Sequence, residues 1–85
     1  MPKSIRSAGL LELGKAIVEH RVNLGMSQRE FAASLGYRQS LISKIELGHR
    51  RIDIVEFIVL ARSMDVDTAW LLNRIEAVVP QNQRI

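Results

Sequence analysis

Arg38, Gln39, Ser40, Ser43 and Lys44 lie close together on a short segment whose other positions, Leu41, Ile42 and Ile45, are apolar. All five side chains can donate hydrogen bonds and none carries negative charge. A glutamine amide matches adenine with one donor and one acceptor, Arg and Lys match guanine, and Ser reaches several base edges or a phosphate. The chemistry is therefore recognition: one helical face able to read bases in double-stranded DNA. Solvated surface helices carry the same residue types, so this face gains meaning from what precedes it.

Two further groups suit phosphates. Ser27 and Gln28 stand at the amino end of a preceding helix, where backbone N–H groups point outward and favour an anion. His49, Arg50 and Arg51 follow the reading helix in a loop that can reach the backbone beside the groove. The plainer alternatives are an exposed first-turn glutamine and solvated loop charges. Arg21 differs from all of these. It lies between Ile17 and Leu24 on an apolar stripe, where an unpaired charge is costly. Glu46 is the natural partner, and such a bridge would fix the reading helix against the body.

These residues need helices to position them, and the chain reads as helical throughout. β signals are nearly absent, with Pro only at positions 2 and 80. Leu10, Leu13, Ile17, Arg21 and Leu24 form the stripe of a first helix that Gly25 ends. Ser27 and Glu30 make a capping box, with Met26 and Phe31 as hydrophobic staple, opening a second helix from Gln28 to Leu35. Gly36 permits the sharp turn that follows, and small Ala32 lets the helices on either side of that turn approach. A third helix starts near Arg38 or Gln39, turns Leu41, Ile42 and Ile45 inward, and stops at Gly48. Asp53 and Glu56 repeat the capping box for a fourth, whose expected buried stripe is Ile54, Phe57, Ile58, Ala61 and Met64. Asp67 caps a fifth. The divisions are an arm over 1–9, a DNA-binding domain over 10–76 with its helix-turn-helix unit at 27–47, and a tail over 77–85.

Composition narrows the function class. The chain of 85 residues has room for one core, and 47% apolar with 25% charged residues is ordinary for a globular domain. No cysteine is present, so thiolate metal sites and disulfides are excluded and a reducing cytoplasm is expected. No apolar run is long enough for a membrane span. Net charge is +3, but residues 37–51 are basic while 53–76 are acidic, which suits one face to phosphates. With two histidines, no glycine-rich phosphate loop and no paired acids, an enzyme is not expected, nor any cofactor, metal or small-molecule ligand. Helix five carries more apolar surface than it needs. Trp70, Leu72, Ile75, Val78 and Val79 are therefore candidates for a homodimer interface, the alternative being that Trp70 belongs wholly to the core.

The stretch RVNLGMSQREFAASLGYRQSLISKIELG resembles the Cro and phage-repressor class of helix-turn-helix proteins, the XRE family. The match spans about residues 10 to 76 and rests on Arg21, Gly25-x-Ser27-Gln28-x-Glu30-Phe31-Ala32, Gly36, Ser43 and Ile45-Glu46-x-Gly48. The resemblance implies an all-α, compact five-helix, lambda-repressor-like domain that binds a near-palindromic operator as a dimer. It further implies an Arg21–Glu46 pair, phosphate contact from Gln28, and base contact from Gln39, Ser40 and Lys44. Arg38 departs from the family pattern, because many relatives carry a capping Ser, Thr or Asn there. The functional reading is a DNA-binding repressor located in the cytoplasm, on the nucleoid when bound. A restriction-modification controller is the alternative within that class. An antitoxin with a protein partner is the alternative outside it, and it ranks below both because few residues remain for a toxin. No effector domain is expected, so regulation would come from concentration, dimerisation or a partner.

Overall fold

The computed structural model describes residues 7–84. Within them the chain forms five helices and no strand: α1 (Ala8–Asn23), α2 (Gln28–Leu35), α3 (Gln39–Glu46), α4 (Ile54–Ser63) and α5 (Thr68–Glu76). The first begins two residues ahead of the expected boundary, inside the segment read as an arm, because the Ser7 side chain accepts the Leu10 N–H and caps it. Capping boxes open α2 and α4. Ser27 accepts the Glu30 N–H at 3.0 Å while Glu30 accepts the Ser27 N–H at 2.8 Å, and Asp53 with Glu56 does the same at 2.7 and 3.1 Å. Asp67 caps α5.

Each of the first four helices stops in the same way. The residue two past the end of α2, and three past the end of the other three, returns its N–H to a carbonyl five positions back: Met26 to Arg21, Tyr37 to Ala32, His49 to Lys44 and Val66 to Ala61, at 2.7–3.0 Å. The residue between is left-handed each time, Gly25, Gly36 and Gly48 in the first three and Asp65 (φ 56°) in the fourth. At Gly36 (φ 70°) this bend carries the chain from α2 into α3, and a side chain there would be strained.

The core joins Leu13, Ala16 and Ile17 of α1, Phe31 and Ala32 of α2, Ile42 and Ile45 of α3, Leu60 and Ala61 of α4, Met64 and Leu71. α1 packs on α3 and α5, α2 on α3, and α4 on α5. Close approach of α1 to the end of α3 depends on Gly14, where a Cβ would lie 2.7 Å from the Glu46 carbonyl carbon.

Two expected core positions are outside. Leu24 is 61% exposed because it sits at the C-cap of α1, past the buried residues Leu13, Ala16 and Ile17 that meet the core. Ile54 is 73% exposed because it occupies the first turn of α4, beyond the end of the core. The buried stripe of α4 is centred on Leu60 and Ala61, with Phe57 and Ile58 half-buried.

Candidate nucleic-acid interface

Short helices held at both ends by the backbone are what let α3 present one face outward. Ile42 and Ile45 anchor it in the core, while Arg38, Gln39, Ser40 and Lys44 are exposed and Ser43 is half-buried. Arg38 occupies the cap position of α3 but makes no capping hydrogen bond, so its guanidinium is left to the outer face.

The anchoring is polar as well as apolar. The Glu46 carboxylate, 5% exposed, accepts Arg21 Nε at 2.6 Å and Arg21 Nη2 at 3.0 Å. Arg21 also donates to the Met26 carbonyl at 3.4 Å, which ties the pair to the α1–α2 turn. The guanidinium is raised above its ordinary pKa, first by the hydrogen bond to Glu46. Glu46 Oε1 accepts a third donor, Gln28 Nε2, at 2.7 Å, and Gln28 Oε1 accepts Gln39 Nε2 at 3.4 Å. A chain of side chains therefore runs from α1 through the end of α3 to the start of α2 and the start of α3. Gln28 is half-buried within it and keeps one amide N–H. Gln39 keeps one N–H and its carbonyl oxygen, the pair that an adenine edge requires.

The remaining sites divide. Ser27 is exposed, with its oxygen engaged in the capping box and its hydroxyl hydrogen uncommitted. His49 and Arg51 are exposed. Arg50 is not a free loop charge, since it pairs bidentately with Glu56 at 2.9 and 2.9 Å. Arg38, Ser40, Lys44, His49 and Arg50 nevertheless line a single open concavity of about 570 Å³ beside α3, together with Gly36, Tyr37 and Leu41. Tyr37 in this wall also packs against the core. It is half-buried, and its spacing as the apolar residue after Gly36 gave no sign of a polar role.

The comparisons with known proteins agree with this geometry. A helix-turn-helix family model matches residues 17–71, more than half of the chain. The chain belongs to the XRE-type helix-turn-helix family, whose members are DNA-binding transcription regulators. An XRE-family-like protein from Pseudomonas syringae pv. tomato is 38% identical over 86% of this chain and 89% of its own, with a TM-score of 0.67. The restriction-modification controller C.AhdI from Aeromonas hydrophila is 29% identical over 76% of this chain and 98% of its own, also with a TM-score of 0.67. The clp gene regulator ClgR from C. glutamicum shares the fold, at 20% identity, 86% and 96% coverage and a TM-score of 0.67. Among curated proteins none matches. The matched residues take in the whole of α2 and α3.

Helix α5 and the start of α4 present an apolar face. Trp70, Leu72 and Val78 are 52%, 55% and 37% exposed, so Trp70 is not a core residue. Ile75 and Val79 are half-buried and approach Gly9 of α1. Exposed Ile54 and Val55 lie at the start of α4, and an apolar groove of about 370 Å³ runs between Leu10, Ile54, Phe57, Leu72 and Ile75. The fifth helix is fastened by Arg74, which pairs with Glu12 at 2.7 Å and Glu19 at 2.8 Å and stacks over Trp70 at 5.9 Å. Among the described residues no helix is long and apolar enough to cross a membrane.

Proposed function

We propose that this regulator is a repressor that binds a near-palindromic operator as a homodimer, with α3 in the major groove. The supporting observation is the convergence of Arg38, Ser40, Lys44, His49 and Arg50 on one concave face beside a recognition helix that the Arg21–Glu46–Gln28–Gln39 chain holds in place. In this reading Arg38, Gln39, Ser40, Ser43 and Lys44 face base edges. Ser27, Gln28, His49, Arg50 and Arg51 face phosphates. Trp70, Leu72, Ile75, Val78 and Val79 make the dimer contact, to which the exposed Ile54 and Val55 add. Two-fold symmetry then sets α3 and its mate in successive major grooves about 34–36 Å apart. Residues 10–76 are the functional domain, and the protein works in the cytoplasm on the nucleoid.

A second reading, control of a restriction-modification operon, is favoured by the likeness to C.AhdI over nearly the whole length of that protein. Selection of binding sites from a random duplex library tests the shared core of both. Enrichment of a two-fold symmetric sequence, bound with a salt slope near −0.9 per neutralised phosphate, is the expected result. No enriched sequence, together with copurification of a second chain, would replace the operator by a protein partner. The position of the enriched site in its home operon separates repressor from controller.

A further inference from the structure

Arg50 and Glu56 belong to different elements, the α3–α4 loop and the first turn of α4, and their pairing uses only part of the guanidinium. A guanidinium has five N–H groups in a fixed plane. The Glu56 carboxylate takes the end-on edge, with Nη1 to Oε1 and Nη2 to Oε2 both at 2.9 Å. The second Nη1 hydrogen goes to the Arg51 carbonyl at 2.8 Å. What remains is the side edge, Nε–H and the second Nη2–H. These are two parallel donors with no acceptor among the described residues, in the geometry that grips a phosphate bidentately. Arg50 also lines the basic concavity beside α3, where Tyr37, Lys44 and His49 stand with it. Glu56 is itself held in place, because its Oε1 accepts the Asp53 N–H of the α4 capping box.

We infer that this concavity seats one backbone phosphate of the bound duplex, gripped by the side edge of Arg50 and by the Tyr37 hydroxyl. Glu56 acts as a positioning residue that presents the Arg50 fork, so that part of the ordering entropy is met before binding. The inference rests on the DNA-binding reading of the same face and adds to it two residues, Tyr37 and Glu56, outside the recognition helix. It also reverses a simple charge argument. Neutralising Glu56 makes the protein more positive, and long-range attraction alone then predicts tighter binding. Loss of the oriented fork predicts weaker binding.

The test uses the full chain and the duplex selected for wild type, at one salt concentration. Glu56→Gln keeps the capping box, since glutamine accepts at that position as glutamate does, and the denaturation midpoint checks that it folds. Glu56→Gln, Tyr37→Phe and Arg50→Lys are each expected to weaken binding about three- to tenfold, and Glu56→Gln should add nothing in the Arg50→Lys background. Arg50→Lys keeps the charge without the fork, so it tests the seat even where Glu56→Gln fails to fold. A scan of single methylphosphonate replacements along the duplex should find one position per half-site that weakens wild type and leaves Arg50→Lys unaffected. Unchanged or tighter binding by Glu56→Gln would overturn the positioning role. Sensitivity to added inorganic phosphate at constant ionic strength, with no methylphosphonate position responding, would assign the concavity to a free anion and overturn the inference. Failure of wild type to bind any duplex would instead remove the DNA reading on which it stands.

Discussion

Two regions of the molecule solve opposite problems. Around α2 and α3 the polar groups are tied to one another: Glu46 accepts three donors, Gln28 bridges it to Gln39, and Arg50 is held by Glu56. Around α5 and the start of α4 four large apolar side chains, Trp70, Leu72, Ile54 and Val55, are more than half exposed. A surface that reads base edges must have its donors aimed before it arrives, because a misplaced donor is worth little. A surface that joins two copies needs area and shape, and apolar side chains supply these without prior orientation. The comparison teaches that orientation is built into the region proposed to face DNA and that unburied apolar area is left at the other.

Breaking the oriented region should have the largest effect. Glu46→Ala leaves Arg21 without its counter-ion and Gln28 without its acceptor, and is expected to cost roughly 3–5 kcal/mol of stability, read from the denaturant midpoint. Leu72→Glu probes the other region. At 55% exposure the change should leave the monomer's stability nearly untouched, yet weaken self-association by about 2 kcal/mol or more in sedimentation equilibrium. Equal damage by both changes to folding would erase the distinction between the regions.

A subtler contrast sits at the start of α3. Arg38→Ser installs the missing cap of α3 and should stabilise the fold by about 1 kcal/mol while reducing DNA affinity, so that thermal midpoint and binding move in opposite directions. A variant that gains both would remove Arg38 from the DNA face.

The smallest effect is on acid stability. The Glu56 carboxylate is held below its ordinary pKa, first by the Arg50 hydrogen bond and then by the Asp53 N–H. Its stabilisation is therefore full above the unfolded value of about 4.3 and is lost as pH falls through the lower folded value. Glu56→Gln should flatten that acid limb slightly and leave stability near neutral pH with little dependence on pH.

Local signals made much of this legible from the sequence. Ser27 with Glu30, Asp53 with Glu56, and Gly25, Gly36 and Gly48 act over three or four residues, and they place α2 and the ends of α1 and α3 where the structure has them. The features that escaped depend on tertiary approach or lack a local mark. Ser7 caps α1 without a carboxylate three residues on. Asp65 takes the left-handed position that glycine marks elsewhere. Gly14 matters because α3 passes over it, and Arg74 meets Glu12 and Glu19 from the far end of the chain. The Arg21–Glu46 partnership was legible because a charge on an apolar stripe demands a partner. The hydrogen bonds from Gln28 to Glu46 and Gln39 were not, since a first-turn glutamine carries no such demand.

The measurement that tests the account most directly compares two substitutions on two duplexes, the selected operator and a scrambled one. Gln39→Ala should weaken binding to the operator by about 1–3 kcal/mol and leave the scrambled duplex unchanged. Lys44→Ala should weaken both and lower the salt slope by about one. Equal losses from Gln39→Ala on the two duplexes would contradict the claim that α3 reads sequence.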